Sequence, residues 1–438
     1  MRIVAALLAG ALLGAPAALL TAQGSPRVVA IGDIHGAIDE FTSILTVAGL
    51  TGADGRWTGG RAHLIQTGDY MDRGDGTRAV LDLLMALEPQ ARKAGGRVVS
   101  LLGNHEVMNL IGDTRDVTRE IFATFADAKS EARRQEAWSR YAALAAARVA
   151  KGASVPPVYG QTRDAWLTTH PPGYVEYREA FAPNGKYGRW LRDKDMVMRH
   201  EGSIFMHAGF APDTAPPKFD DMNTLLRTEV RRLDRFRDLL VAQKLALPFF
   251  TLQEILQVAS NEIGTANALI AAAQAEGKEP DRSKLNGPLL LEAQEILKID
   301  TWLVVAGDGP LWYRGLATEP DDPAGGPFAA LLQRYGAKRF VTGHTPQQNR
   351  RITARFGGRA ILIDTGMLSY YKGRASALQI EGDVLTAIYA DGKVPLDGPA
   401  NHLRQGYGGQ EAGHHIDYAE RNQATVWRSP SSSVTVGR

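Results

Sequence analysis

The sequence contains no cysteine. Disulfide frameworks, thiolate zinc ribbons and thiol nucleophiles are therefore excluded, and the chain is indifferent to the redox state of its compartment. Net charge is nearly absent too: 50 basic against 48 acidic side chains leave +2 over 438 residues. Bulk electrostatics thus indicates no nucleic-acid partner. Long apolar runs are missing after the N-terminus. The one exception, Ile3 to Leu20, follows Arg2 and precedes small residues such as Ala22. That is the pattern of a secretory signal peptide, residues 1–22, cut near Ala22–Gln23. Gly10, Gly14 and Pro16 within the run favour cleavage over a retained membrane anchor. The expected mature form makes no stable membrane insertion and is periplasmic or secreted, in a bacterium.

What the sequence does have is a series of short motifs rich in metal-binding side chains. They are Gly32-Asp33-Ile34-His35-Gly36, Gly68-Asp69-Tyr70-Met71-Asp72-Arg73-Gly74, Gly103-Asn104-His105-Glu106, His207-Ala208-Gly209 and Gly343-His344-Thr345. Each follows a β-branched or aliphatic run: Val28 to Ile31, Leu64 to Gln66, Val98 to Leu102, Ile204 to Met206, Phe340 to Thr342. Such runs read as buried strands closed by turn residues. The candidate ligands then lie just past strand ends, where open α/β sheets build their sites.

The ligand types narrow the metal. Asp33, His35, Asp69, Asn104, His207 and His344 form a mixed oxygen and imidazole set, suited to Mn, Fe or Zn and poorly to Mg or Ca. Six candidates exceed a closed tetrahedral site, so two divalent or trivalent ions sharing a bridging carboxylate fit better. Such a pair clamps the attacking and leaving oxygens of an in-line displacement and makes hydroxide available near neutral pH. This is phosphoester hydrolysis chemistry.

On these motifs the chain resembles the calcineurin-like metallophosphoesterases, and within them the phosphoprotein phosphatase superfamily, whose Gly-Asp-x-x-Asp-Arg-Gly form the second motif matches. It is most similar to the bacterial Shewanella-like protein phosphatases, through Gly309-Pro310-Leu311-Trp312-Tyr313-Arg314-Gly315 and Asp364-Thr365-Gly366-Met367. The resemblance implies an α/β (α+β) fold, a two-sheet β-sandwich flanked by helices, here with helical inserts. It implies that Asp33 and His35 hold the first metal, that Asp69 bridges, and that Asn104, His207 and His344 complete the second. It further implies that His105 is the leaving-group acid, Asp72 its carboxylate partner, and Arg73, Arg314 and Asn104 the substrate-binding side chains. Pro346 stands where nuclease and phosphodiesterase relatives usually have a second histidine, which agrees with the phosphatase branch. Elementary chemistry supports these roles: arginine offers a dianionic phosphate planar paired donors, and histidine is the usual proton donor near neutral pH.

Several residues have plainer readings. Asp308 reads as a turn residue or a support for ligands. Asp364 either hydrogen-bonds the site or caps a turn. His63, His170, His200 and His402 lie outside any ligand pattern, and His414-His415 sits in a Gly-rich tail. The arginines 227, 231, 232, 235 and 237 alternate with acids, as on a solvated helix face.

Residues 25–390 read as the catalytic domain, with helical inserts at about 113–200 and 214–300. One long helix is expected from Phe122 to Ala150. An aromatic segment follows, with Tyr159, Trp166, Tyr174, Tyr177, Tyr187 and Trp190, which either walls the substrate site or packs on the core. The sheet pattern is expected to resume at Thr301, with later strands near Ile361 to Ile363, Ala375 to Ile380 and Val384 to Tyr389. Residues 399–438 read as a disordered tail. The leading expectation is a phosphomonoesterase acting on phosphorylated protein, peptide or a small phosphoester, with phosphotyrosine favoured by the resemblance. Its rivals are a diadenosine polyphosphate or other nucleotide hydrolase and a metal-binding scaffold without turnover.

Overall fold

The computed structural model describes residues 25–150 and 157–396. The expected signal peptide, the expected tail, His402 and His414-His415 lie outside the described residues. Among the described residues, no helix is long and apolar enough to cross a membrane.

Among the described residues, eleven strands form two mixed sheets. They are β1 (Val28–Ile31), β2 (His63–Gln66), β3 (Arg97–Ser100), β4 (Val197–His200), β5 (Ser203–Met206), β6 (Arg339–Thr342), β7 (Thr353–Arg355), β8 (Ala360–Leu362), β9 (Ser376–Glu381), β10 (Val384–Tyr389) and β11 (Gly392–Pro395). The first sheet runs β11-β10-β9-β1-β2-β3 and the second β4-β5-β6-β8-β7. Only part of each sheet is parallel: β1, β2 and β3 in the first, and β5, β6 and β8 in the second. Those are the strands that carry the motifs. Parallel register brings Ile31 level with Gln66 and Ser100, and Met206 level with Thr342 and Leu362. The loops after them therefore gather at one edge of each sheet.

Side-chain alternation explains how the sheets meet. Val28, Ala30 and Ile65 of the first sheet share a buried cluster with Phe205, Val341 and Ile361 of the second. Val29, Ile31 and Leu64 face the opposite way, into the large helical core. Ile204, Met206 and Phe340 do the same on the far face of the second sheet. The result is the expected two-sheet sandwich flanked by helices. Ile361 is fully buried between the sheets, and truncating it to alanine should cost ~2–5 kcal/mol.

The helices on the first half are α1 (Ile38–Val47), α2 (Thr77–Lys93) and α3 (Asn104–Ile111). The first insert holds α4 (Arg119–Phe125), α5 (Ser130–Ala150), α6 (Arg163–Thr169), α7 (Tyr174–Phe181) and α8 (Lys186–Arg192). The expected single helix from Phe122 to Ala150 is thus two. Asp127 breaks it, because its carboxylate takes the Lys129 amide at 2.7 Å into a local turn. The insert's Tyr159, Trp166, Tyr174, Tyr177 and Tyr187 are buried, so these aromatics build a core and not a substrate wall.

The second insert holds α9 (Met222–Ala242), α10 (Leu252–Ala275) and α11 (Gly287–Ile296); α12 (Gly315–Thr318) and α13 (Gly326–Arg334) follow. Leu226, Val230, Leu233, Arg237 and Leu240 share the buried stripe of α9. Arg231 and Arg235 are exposed as expected, but Arg237 is buried and donates to the Ile111 carbonyl at 2.6 Å. There it satisfies the end of α3 and complements its dipole. No strand resumes at Thr301: that residue closes a 3₁₀ turn, and the next strand is β6.

Candidate metal centre

The loops after β1, β2, β3, β5 and β6 converge, and they bring Asp33, His35, Asp69, Asn104, His105, His207 and His344 together, all buried. Backbone contacts fix the convergence. The Asp69 carbonyl accepts the Ile34 and His35 amides, both at 2.9 Å. The Asp33 carboxylate takes the His344 amide at 2.9 Å, joining loops 311 residues apart. The Asp69 carboxylate takes the His105 amide at 3.0 Å. Two motif glycines are required by this closeness. A Cβ on Gly103 would lie 2.2 Å from an Asp69 carboxylate oxygen, and one on Gly343 would lie 2.2 Å from an Asp33 oxygen.

Turning this tightly places five site residues in the left-handed region: His35, Asp69, Asp72, Arg73 and His344, with φ of 48°, 56°, 67°, 66° and 67°. Side chains adopt that conformation rarely and at a cost.

The imidazoles are oriented from behind. His35 meets the Met71 carbonyl through Nδ1 at 3.0 Å, His207 meets the Thr67 carbonyl through Nδ1 at 3.2 Å, and His344 meets the Trp312 carbonyl through Nε2 at 3.1 Å. A carbonyl only accepts, so each of those nitrogens carries the proton. The opposite nitrogens are then lone-pair acceptors turned inward. His207 Nε2 lies 3.0 Å from His344 Nδ1, 2.8 Å from the Asn104 amide oxygen and 3.1 Å from Asp69 Oδ2. His35 Nε2 lies 3.8 Å from Asp33 and 3.7 Å from Asp69. Such a convergence of acceptors is what a cation satisfies. Asp69 with His207 and His344, and Asp69 with His35 and His105, form the two tight groups of potential ligand atoms among the described residues.

Electrostatics agrees with the geometry. Burial holds the pKa values of His35 and His344 well below the usual imidazole range, keeping them neutral and able to ligate. Burial and the facing carboxylates push Asp33 well up, and burial foremost lifts Asp364 to about 6. Burial would also raise Asp69, but the imidazoles of His207 and His105 outweigh it and hold its carboxyl well below the usual range.

His105 meets Asp72 directly, Nδ1 to Oδ2 at 3.0 Å. Burial alone would lower its pKa; the Asp69 charge and the Asp72 bond reverse that and raise it. Arg73 and Arg314 reach the rim, and both are exposed. Arg73 donates to His35 Nε2 at 3.1 Å and to the Tyr371 hydroxyl. Arg314 donates to the His344 carbonyl at 2.9 Å and to the Thr345 hydroxyl at 3.1 Å. All the expected site residues are thus in one place. Asp364 is buried beside them and takes the Gly366 amide at 2.9 Å, whereas Asp308 only lends its carbonyl to Ala211. His63 and His200 pair with each other at 3.1 Å between β2 and β4, and His170 stacks on Trp166.

Glu106, Asp116 and Tyr371 join the centre without an expected role. Glu106 is fully buried, and one carboxylate oxygen accepts the Gly103 and Asp69 amides at 2.8 and 2.7 Å. The other accepts Tyr70 and Met71 at 3.0 and 3.3 Å. Burial and the Asp69 charge push its carboxyl up to about 8 against the Gly103 and Asp69 amides. Its place in the third motif was a visible signal. Asp116, whose carbonyl takes the Arg73 amide, and Tyr371 come from loops with no such signal.

Known proteins share these features. The family pattern described as calcineurin-like phosphoesterase matches residues 26–233. An uncharacterised protein of Schizosaccharomyces pombe is 30% identical over 376 residues, spanning 84% of this chain and 82% of that protein. Shewanella-like protein phosphatase 2 of Arabidopsis thaliana is 42% identical over 104 residues, 23% of this chain and 27% of its own length. Shewanella-like protein phosphatase 1 of Plasmodium berghei is 40% identical over 86 residues, 20% of this chain and 24% of its own. The solved cold-active protein-tyrosine phosphatase of a psychrophilic Shewanella species shares the fold, with a TM-score of 0.50 and 24% identity over 85% of this chain and 81% of that one. With the motif order, the two sheets and the inward-turned acceptors, these matches make the chain a member of the calcineurin-like metallophosphoesterases, a metal-dependent phosphatase with Shewanella-like protein phosphatases among its homologues.

Proposed function

We propose that the protein is a dinuclear phosphomonoesterase acting on phosphorylated protein or peptide, with phosphotyrosine as the favoured substrate. The observation that carries the reading is the inward convergence of Asp69, Asn104, His207 and His344 beside the His105–Asp72 pair. Asp33, His35 and Asp69 would hold one ion, and Asp69, Asn104, His207 and His344 the second; Mn, Fe and Zn suit these donors. When bound, the ions supply Lewis-acid stabilisation of phosphate charge and lower the proton affinity of a coordinated water.

The remaining chemistry belongs to the chain. Arg73 and Arg314 stand on two sides of the centre with guanidinium donors that match phosphate oxygens. His105 carries a proton on Nδ1, fixed by Asp72, and its Nε2 points back toward Asp69 at 3.9 Å. A protonated Nε2 there can deliver its proton to the departing oxygen. The phosphoprotein substrate class is supported by the names of the Arabidopsis and Plasmodium relatives, and phosphotyrosine by the name of the Shewanella structure.

Turnover of p-nitrophenyl phosphate, a phosphotyrosine peptide, a phosphoserine peptide and diadenosine tetraphosphate in added Mn tests the reading, alongside elemental analysis. The expected result is two ions per chain and preference for the phosphotyrosine peptide. Preference for diadenosine tetraphosphate would replace phosphoprotein by nucleotide as the substrate, and one ion per active chain would refute the dinuclear centre.

A further inference from the structure

Behind His105 lies a buried chain of hydrogen bonds that reaches into the first insert. Asn109 is one helical turn beyond His105 on α3, so its side chain falls on the same face. Its Nδ2 lies 2.8 Å from Asp72 Oδ2 and 2.9 Å from the His105 carbonyl. The His105 carbonyl only accepts, so the amide group must present its NH₂ on that side. Its oxygen therefore faces the other way, where it accepts the Tyr177 hydroxyl at 2.6 Å. The donor order runs from Tyr177 to Asn109 to Asp72, and Asp72 receives the His105 Nδ1 proton on the same oxygen. Asp72, His105, Asn109 and Tyr177 are all buried.

Each link has little freedom. Tyr177 is on α7, and its ring is enclosed by Phe122, Phe125 and Phe181 at centroid distances of 5.1, 4.9 and 4.4 Å. Burial and the Asp72 charge push its phenol well up, so it stays protonated and can only serve Asn109 as a donor. Without that bond the amide would lose what fixes its oxygen, and Asp72 could rotate its carboxylate away from Nδ1. The imidazole would then lose the aim of Nε2.

We propose that Asn109 and Tyr177 are positioning residues for proton delivery, acting through Asp72 on His105, so that the first insert supplies part of the catalytic support. The proposal rests on the reading of His105 as the leaving-group acid. It gives α7 a task beyond packing, and it explains why a buried hydroxyl is kept among phenylalanines, where a phenylalanine ring would fill almost the same space.

Tyr177→Phe and Asn109→Leu test it, each assayed in metal-loaded enzyme with phenyl phosphate and with p-nitrophenyl phosphate. Loosening a residue that aims the acid should reduce kcat on phenyl phosphate by ~10–100-fold and change kcat on p-nitrophenyl phosphate by less than ~3-fold. A purely structural role would lower both alike. Tyr177→Phe is then repeated in an Asp72→Asn background, where its effect should vanish because the route to His105 is already cut. His105→Asn is measured in parallel. If it shows the leaving-group dependence while Tyr177→Phe is uniform, neutral or additive with Asp72→Asn, the positioning role is wrong and the acid assignment stands. If His105→Asn is itself uniform across leaving groups, the acid assignment falls first. Should Asn109→Leu fail to fold, Tyr177→Phe and its Asp72→Asn cycle decide the question alone.

Discussion

Glu106→Gln is the sharpest test of how the centre is built. The wild-type carboxylate accepts four backbone N–H groups, two on each oxygen, from Gly103, Asp69, Tyr70 and Met71. Glutamine has nearly the same volume but only one acceptor oxygen; its amide nitrogen would face two N–H donors and leave both unsatisfied. A buried polar group deprived of its partner costs about 1–3 kcal/mol, so two orphaned amides cost ~2–6 kcal/mol. Set against this is the burial that pushes the ionised carboxyl up to about 8 and that a neutral glutamine does not incur. Urea unfolding from about pH 4.5 to 9 separates the two. Wild-type stability should fall as pH rises through that range, because a carboxyl pushed up to about 8 in the fold from about 4.5 in the unfolded chain holds its proton longer in the fold. The glutamine variant should lack that slope. A chelator in both samples separates the clamp from any metal contribution. Metal content at neutral pH should fall in the same variant, because the amides that shift belong to Asp69 and its neighbours. A glutamine variant that keeps the wild-type pH slope would refute the buried-carboxylate reading, and an unchanged metal content would show that Asp69 holds its place without the clamp.

Four further outcomes are expected. Gly343→Ala and Gly103→Ala should each lower metal content in elemental analysis, since the added methyl displaces the Asp33 or the Asp69 carboxylate. Arg314→Lys keeps the charge and loses the planar fork, so inhibition by inorganic phosphate should weaken; unchanged inhibition would assign Arg314 to packing against His344. His170 is buried with its pKa lowered to about 4, below the unfolded value near 6.5. It is charged in the unfolded chain before it is charged in the fold, so stability should decline as pH falls from 6.5 to 4, by ~3 kcal/mol; His170→Gln should flatten that branch of a pH–stability curve. Export with cleavage near Ala22–Gln23 is tested by fractionation and N-terminal sequencing, where a chain starting at Met1 in the membrane fraction would refute it.

Strands β1 and β5 were legible because they are buried on both faces and carry the apolar runs Val28–Ile31 and Ile204–Met206. Strand β3, by contrast, lies at an edge with Arg97 exposed and was legible from Val98 to Leu102 alone. The strands without a signal are β4, β7 and β11, and all three lie at sheet edges. Edge positions bury less, and Val197–His200, Thr353–Arg355 and Gly392–Pro395 accordingly carry arginine, histidine or lysine. The same contrast holds in the centre. Asp33, His35, Asp69, Asn104, His105, His207 and His344 could be named because each sits in a motif whose chemistry is local. Tyr177 could not, because its meaning depends on an α7 that folds back on α3 after 68 residues. Arg237 misled for a related reason: spacing among charges suggests a solvated face, and only packing shows which arginine falls in the buried stripe.

The left-handed backbone at His35, Asp69, Asp72, Arg73 and His344 has a consequence for selection on heat resistance. Each such residue costs ~1–2 kcal/mol relative to a glycine in the same conformation. Glycine at these positions would release that strain while erasing the side chains that define the centre, so relief of the backbone trades against the cavities and lost hydrogen bonds of buried residues. Libraries built to harden this protein need those five codons held fixed, with gains sought on the outer faces of α5, α10 and α11, where no such trade exists.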